Sequence, residues 1–284
     1  MRHIHIFAIA ATLISTFGIS FGRPARRPKP SEVELQNIRH GRPRTVEVVA
    51  YQANYKDGKW VIDTGWLSPL TRTVTRWNSE GHPLTDTSYT ILGQQVISSS
   101  FTRYFYYSDE YRKAFILSTS YSGDSLRQST TYRLEFGYDH QGRLKNTWLR
   151  DSAGMKIHTT LYRIDRKGCV RSDRTFDAQD RLISSTRQRC DARGGILWMK
   201  NSLYPMGEKR SKPMVSVYRN SYEDGLLQRT ILVRTRGGHT SQRGETARYI
   251  YEYDEHGTWL RRIAWTEDAP EKAQIQERRI EYYE

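Results

Sequence analysis

Residues 136–170 read FGYDHQGRLKNTWLRDSAGMKIHTTLYRIDRKGCV, and within them an aspartate is followed three positions later by glycine at Asp139, Asp151 and Asp165. The steps are twelve and fourteen residues, and they continue to Asp177 (DAQD, with Asp180 in the glycine's place) and Asp191 (DARG). The same unit stands at Asn78 (NSEG) and Asp254 (DEHG). Asp or Asn, two permissive residues and a glycine free to take left-handed backbone mark a three-residue hairpin loop, a type I turn closed by a glycine bulge. Aspartate suits the first position because its carboxylate accepts a backbone N–H two residues on. These aspartates are turn formers before they are candidates for chemistry.

This turn also sets pairing. The residue before the Asp should lie across from the second residue after the Gly, which gives Tyr138 with Leu144, Ile164 with Val170, Phe176 with Leu182, Cys190 with Ile196, and Tyr253 with Trp259. All five are apolar pairs, each adding some tenths to about 1 kcal/mol to a ladder. Trp77 with Pro83 is a weaker match, and Arg150 with Lys156 is an exception. Because side chains alternate with period two, even steps between turns return the apolar positions to one face. The expected fold is therefore all-β: residues 45–284 as an antiparallel meander of successive hairpins, forming a large twisted or curled repeat sheet. Alternating runs at 132–138 and 249–253 agree, as do turn signals at Asp57-Gly58, Gly93, Gly123-Asp124, Asp224-Gly225 and Gly237-Gly238. Residues 270–280 alone have a helical pattern, and their likeness to the tyrosine strands assigns them to strand.

The strings YEYDEHGTWL (251–260) and GYDHQGRL (137–144) resemble the YD repeats of Rhs and teneurin-like proteins, whose units pair a Tyr-x-Tyr-Asp strand with a Gly-Arg-Leu strand. The matching positions are Tyr251, Tyr253, Asp254 and Gly257, then Tyr138, Asp139, Gly142, Arg143 and Leu144. Ile164-Asp165 with Gly168 match in part. The resemblance implies an exported β-repeat protein that works through its surfaces. It brings no catalytic residue.

The first 22 residues, with Arg2 and then an uncharged apolar stretch from Ile4 to Ile19, read as a signal peptide with Arg23 as the mature start. Periplasmic or extracellular location is expected. Residues 23–44 carry seven Lys or Arg against two Glu and read as a basic, proline-rich flexible tail. The whole chain has a net charge of +14, and its cations are 34 Arg to 11 Lys. Arginine forks onto carboxylate, sulfate and phosphate, so acidic glycans, cell-envelope polyanions or acidic surface proteins are the expected partners. By strict alternation, Arg143, Lys145, Arg163, Arg171, Arg181, Arg187 and Arg189 fall on the face opposite the turn-flanking apolar groups.

Little points to catalysis, and no cofactor is expected. Gly123-Asp124-Ser125-Leu126 has the letters of a GDSL nucleophile block, without the family's DxxH pair or alternating helices. The histidines show no metal-ligand spacing, and no calcium or phosphate loop appears. The function expected is a non-catalytic binding or interaction module, with an extracytoplasmic glycan- or ester-cleaving hydrolase as the alternative. A lipid-embedded barrel is disfavoured because neither strand face is continuously apolar and the sequence closes on Tyr-Tyr-Glu.

The two cysteines, Cys169 and Cys190, belong to the strands of one hairpin. With an unbulged three-residue loop at Asp177, position 169 faces 189 and the sulfurs lie on opposite faces. A four-residue loop would set 169 across from 190. A disulfide with a shifted loop, or two thiols with an ordinary one, are the two coupled expectations.

Overall fold

The computed structural model describes residues 41–63, 70–92, 95–107, 112–122, 128–166, 168–192, 194–204, 213–223, 226–236 and 244–284. The expected signal peptide, the expected tail as far as residue 40, Ser125, and the turns expected at Gly93, Gly123-Asp124, Asp224-Gly225 and Gly237-Gly238 lie outside them. Among the described residues every regular element is a strand. In order they are β1 (Pro43–Lys56), β2 (Lys59–Ile62), β3 (Thr71–Trp77), β4 (Pro83–Leu92), β5 (Gln95–Tyr106), β6 (Lys113–Ser122), β7 (Gln128–Tyr138), β8 (Leu144–Arg150) and β9 (Lys156–Ile164). They continue as β10 (Val170–Asp177), β11 (Leu182–Cys190), β12 (Ile196–Leu203), β13 (Met214–Glu223), β14 (Leu226–Arg236), β15 (Thr246–Tyr253), β16 (Trp259–Thr266) and β17 (Ala269–Tyr282). The basic tail thus gives way to strand at Pro43, two residues early, and the stretch with the helical pattern is β17.

From β3 onward each strand pairs antiparallel with the next, as the meander requires. The open sheet expected from the sequence is corrected, however, because the two ends meet. One edge of β1 pairs with β17 from Val46↔Ile280 to Asn54↔Lys272. Its other edge pairs first with β3 and then with β2, which share one position in the ring. The result is a sixteen-strand barrel. Closure removes the unpaired edges that a sheet of this width would expose.

All seven turn-flanking pairs form as read, including Trp77↔Pro83 and Arg150↔Lys156. In each turn the Asp or Asn N–H donates to the carbonyl of the residue four on, and the residue in the glycine position donates back. The side-chain oxygen does more than the sequence suggested. Oδ1 of Asp139 accepts from the N–H of both Gln141 and Arg143, and Asp177 and Asp254 repeat the pattern. Asp180 takes the glycine's place in left-handed backbone, at φ 59°.

One feature escaped the strict alternation. Immediately beyond each of these turns the register slips by one residue, leaving Leu84, Lys145, Ile157, Arg171, Ile183, Leu197 and Leu260 as extra residues on the second strand. Such bulges bend a strand and increase its twist, which suits a sheet that must curl to closure. They also exchange the faces. Phe136 and Tyr138 share a face with Thr147, so Trp148 and Arg150 point to the other. Turn-flanking groups at Asp139, Asp165 and Asp191 therefore lie on one face, and those at Asp151 and Asp177 on the opposite face. The expectation of a single apolar face is corrected, and the polar Arg150–Lys156 pair is explained by the face it joins.

The same slip resolves the cysteines. The loop at Asp177 is unshifted, but the bulge at Ile183 supplies the extra residue, and from Ser172↔Arg187 the ladder counts to 169 opposite 190. Cys169 and Cys190 form a disulfide, with Cα atoms 6.2 Å apart.

The first face can be called the tyrosine face. Tyr104, Ile116, Phe136 and Leu144 are buried there with Tyr138, Tyr162 and Ile164 packed against them, and full burial of a side chain such as Phe136 contributes about 1.5–3 kcal/mol. A second cluster joins Val46 and Trp77 to Val48, Ile280 and Tyr282. Three tyrosine hydroxyls reach back one strand: Tyr106 to the Pro83 carbonyl at 2.8 Å, Tyr138 to Lys113 at 3.0 Å, and Tyr251 to Leu227 at 2.9 Å. The repeat tyrosine thus fastens its hairpin to the preceding one, and burial pushes the Tyr251 hydroxyl up to about 12.

Candidate polyanion-binding face

The second face is rich in arginine. Its rows can be read strand by strand from the register, because residues directly across a ladder share a face at a spacing of about 4.8 Å. One row runs Lys200–Arg187–Ser172–Arg163 across β12 to β9. The next runs Arg219–Trp198–Arg189 across β13 to β11, and Arg174 lies beside Ser185 and Leu161. Arg163, Arg174, Arg187, Arg189 and Arg219 are exposed, and Lys200 is half-buried. Among the described residues none of the six forms an ion pair, and this face of β9–β12 holds no carboxylate.

The structure divides the seven cations named from the sequence. Arg163, Arg187 and Arg189 are in these rows. Arg143, Arg171 and Arg181 are not free for a ligand in the same way, because each guanidinium folds back on a turn carboxylate. Arg143 Nε is 2.8 Å from Asp139 Oδ2, Arg171 Nε 2.8 Å from Asp165 Oδ2, and Arg181 Nε 2.7 Å from Asp177 Oδ2. Burial alone would raise the Asp139 carboxyl, yet the backbone N–H and guanidinium of Arg143 hold it below the ordinary range, and Arg181 does the same for Asp177. Lys145 occupies a bulge. Arg174 and Lys200 were missed because alternation without bulges assigns them to the face of Val170 and Ile196. The bulges at Arg171 and Leu197 carry signals only in three dimensions.

The arginine face continues over β14–β17, where its charges are balanced. Arg248 Nη2 lies 2.6 Å from Glu267, and Arg229 lies 3.9 Å from the same carboxylate. Arg261 bonds Glu252 at 2.9 Å and approaches Glu277 at 3.8 Å. The hydrogen bond from Arg248 holds the Glu267 carboxyl below its usual value. This side also buries Ala53, Ile263 and Ile275 under Trp60 and Trp265.

Two carboxylates lie on the tyrosine face, away from these rows. Asp173 is largely buried and burial raises its carboxyl, but its hydrogen-bond partner is Thr186, and it points to the tyrosine face beside Tyr162. Asp86 accepts a hydrogen bond from Tyr104 on that face. No group of His, Cys, Asp and Glu that could hold a metal occurs among the described residues. Neither face of β3–β9 is an apolar band. The tyrosine face carries the row Thr73–Ser88–Ser100–Ser120–Thr130 and the arginine face carries Arg76–Thr85–Arg103–Leu117–Arg133–Arg150. No helix of the described residues is long and apolar enough to cross a membrane.

No protein-family model matches the chain, and no curated protein matches it. Among solved structures it is similar to a porin-like protein from Bacteroides uniformis at 11% identity, over 84% of this chain and 96% of that one, with a TM-score of 0.44. A DUF1329 family protein from Desulfovibrio piger matches over 89% of this chain and 91% of its own length, at 6% identity and a TM-score of 0.26. The TcdB2–TccC3 structure matches over 87% of this chain and 18% of its own, at 13% identity and a TM-score of 0.29. At these scores the likenesses carry no functional argument.

Proposed function

We propose that this chain is an exported, non-catalytic β-repeat barrel of the YD-repeat kind that binds a polyanion, an acidic glycan or envelope polymer, across the arginine face of β9–β13. One observation carries the reading: six cations stand in adjacent rows with Trp198 among them, and no carboxylate of that face on β9–β12 balances them. Left unpaired, guanidiniums a strand or two apart repel one another, and a multivalent anion removes that repulsion while releasing its counterions. Trp198 adds a flat apolar surface for a sugar ring or base. The repeat tyrosines and turn aspartates are committed to joining hairpins, which supports a scaffold whose function lies on its surface. Periplasmic or extracellular residence accords with the disulfide, since such bonds persist in oxidising compartments.

The test compares two triple substitutions on the same face. Arg163→Ser/Arg187→Ser/Arg189→Ser should elute from a dextran sulfate column at much lower salt than the parent, with a log K–log salt slope shallower by about 2–3. Arg229→Ser/Arg248→Ser/Arg261→Ser should elute nearly with the parent. Equal elution of the first variant and the parent would refute the reading.

A further inference from the structure

A separate part of the arginine face, on β3–β5, is built as a small trough rather than an open surface. Register sets out nine positions on three strands. β3 contributes Arg72, Val74 and Arg76, β4 contributes Tyr89, Thr87 and Thr85, and β5 contributes Ser99, Phe101 and Arg103. Eight of these residues line a concavity of about 420 Å³, inside the ~300–1,000 Å³ span of small-ligand sites. The relief follows from side-chain length. The middle strand presents short threonines as a floor, and its neighbours raise Arg76, Arg103 and Phe101 as walls.

The polar groups within it are graded. Arg76 and Arg103 face each other across Thr85, their backbones two strand spacings apart, about 9–10 Å. Among the described residues neither Arg76 nor Arg103 forms an ion pair, and Arg103 Cζ lies 5.8 Å from the centre of the Phe101 ring. Two guanidiniums at that separation can close on one carboxylate or sulfate above the Thr85 hydroxyl. One row further on, Thr87 lies between Val74 and Phe101, and Phe101 is 38% exposed. At the far end Arg72 is already held by Glu47, with Nε 2.5 Å from Oε1. The trough therefore has an anion-binding end, an apolar wall with a hydroxyl at its foot, and a neutralised end carrying the Tyr89 phenol.

We propose that this trough binds an anionic pyranose, its carboxylate or sulfate between Arg76 and Arg103 and its C–H face against Phe101, with Thr87 and Tyr89 hydrogen-bonding ring hydroxyls. A ring with one charged substituent fits this order of groups. An inorganic anion would leave Phe101 exposed, and a neutral sugar would leave two guanidiniums unsatisfied. The site is independent of the β9–β13 face, so either can fail alone.

Calorimetric titration of the full chain with D-glucuronate, D-glucose 6-sulfate, sodium sulfate and D-glucose, at one ionic strength, tests it. Both anionic sugars should saturate a single site, with sulfate and glucose each at least tenfold weaker. Arg76→Gln/Arg103→Gln and Phe101→Ala should each weaken the anionic sugars tenfold or more, and Arg163→Ser/Arg187→Ser/Arg189→Ser should leave them unchanged. Thr85→Glu keeps both arginines and places a carboxylate between them, so it should abolish binding without disturbing the fold. Sulfate binding as tightly as the sugars would show an adventitious ion only, and undiminished binding by Thr85→Glu would overturn the proposal.

Discussion

The arginine face of β9–β13 and that of β14–β17 are made of the same material. Both are antiparallel ladders with arginines in neighbouring rows, both carry a tryptophan (Trp198 or Trp265), and both follow turns of the same design. They differ in their acids. Glu252, Glu267 and Glu277 hold Arg229, Arg248 and Arg261, whereas the uncharged positions facing Arg163, Arg174, Arg187 and Lys200 are serine, leucine or valine. The lesson is that the count of arginines says little about binding. On the proposed reading, a binding face is marked by the absence of the carboxylates that elsewhere in the same barrel close the charge.

The comparison breaks most readily if acids are moved. Adding carboxylates to the bare rows, as Ser172→Glu/Ser185→Glu, should weaken dextran sulfate binding by about 100-fold or more at moderate salt, since each new carboxylate engages a guanidinium that would otherwise hold a sulfate. Binding within threefold of the parent would mean that other surfaces carry the affinity.

Reduction of the disulfide sharpens the same contrast through stability. Cys169 and Cys190 close a loop of 21 residues, and a cross-link of that length contributes about 3 kcal/mol. Cys169→Ser/Cys190→Ser should lower chemical stability by about that amount, judged by denaturant midpoints. Its effect should reach β10 and β11 first, read as faster amide exchange there than in β15–β17. Uniform exchange would remove any special role for the bond in holding the bare rows in register.

Removing acids from the balanced region should give a smaller change in the opposite sense. Glu252→Gln/Glu267→Gln/Glu277→Gln should bind dextran sulfate several-fold more tightly and lose little stability, because exposed pairs are screened by solvent. Lowering the pH mimics this. The Glu267 carboxyl sits below its usual value, so its ion pair is intact above the ordinary carboxylate range near pH 4 and is lost as pH falls through the lowered value. Asp139 and Asp177 follow the same sign, and the stability their turns contribute is lost in that acidic window. Dextran sulfate stays ionised there, so the Arg163→Ser/Arg187→Ser/Arg189→Ser variant should regain retention only below about pH 4. Retention without pH dependence would show that the acids of β14–β17 are not what neutralises that face.

Much of the ladder was legible before the structure. The DxxG spacing placed the turns, and every pair flanking them formed, because an Asp carboxylate that caps two N–H groups and a residue able to take left-handed backbone fix a hairpin locally. The bulge after each turn was not legible. Leu84, Leu197 and Leu260, Ile157 and Ile183, and the cationic Lys145 and Arg171 are residues that an unbulged strand accepts equally well, and the slip arises from the twist the paired strands adopt. That single unseen residue per hairpin misplaced Arg174 and Lys200 and hid the facing of Cys169 and Cys190, while the pairing of Arg143, Arg171 and Arg181 with turn carboxylates is a feature of the turns themselves. Closure was hidden for a related reason, since β1 meets β17 only when the twist of all intervening strands is summed. The trough on β3–β5 did have a sequence signal, in the alternating Arg72, Val74 and Arg76 of TRTVTRW.

The most direct test is the salt dependence of dextran sulfate binding for the parent and for Ser172→Glu/Ser185→Glu, measured side by side from low to physiological salt. If the uncompensated rows bind the polyanion, the parent's log K should fall steeply with log salt and the variant's slope should be shallower by about 2, one for each sulfate no longer held. Parallel lines of equal slope would contradict the assignment of that face.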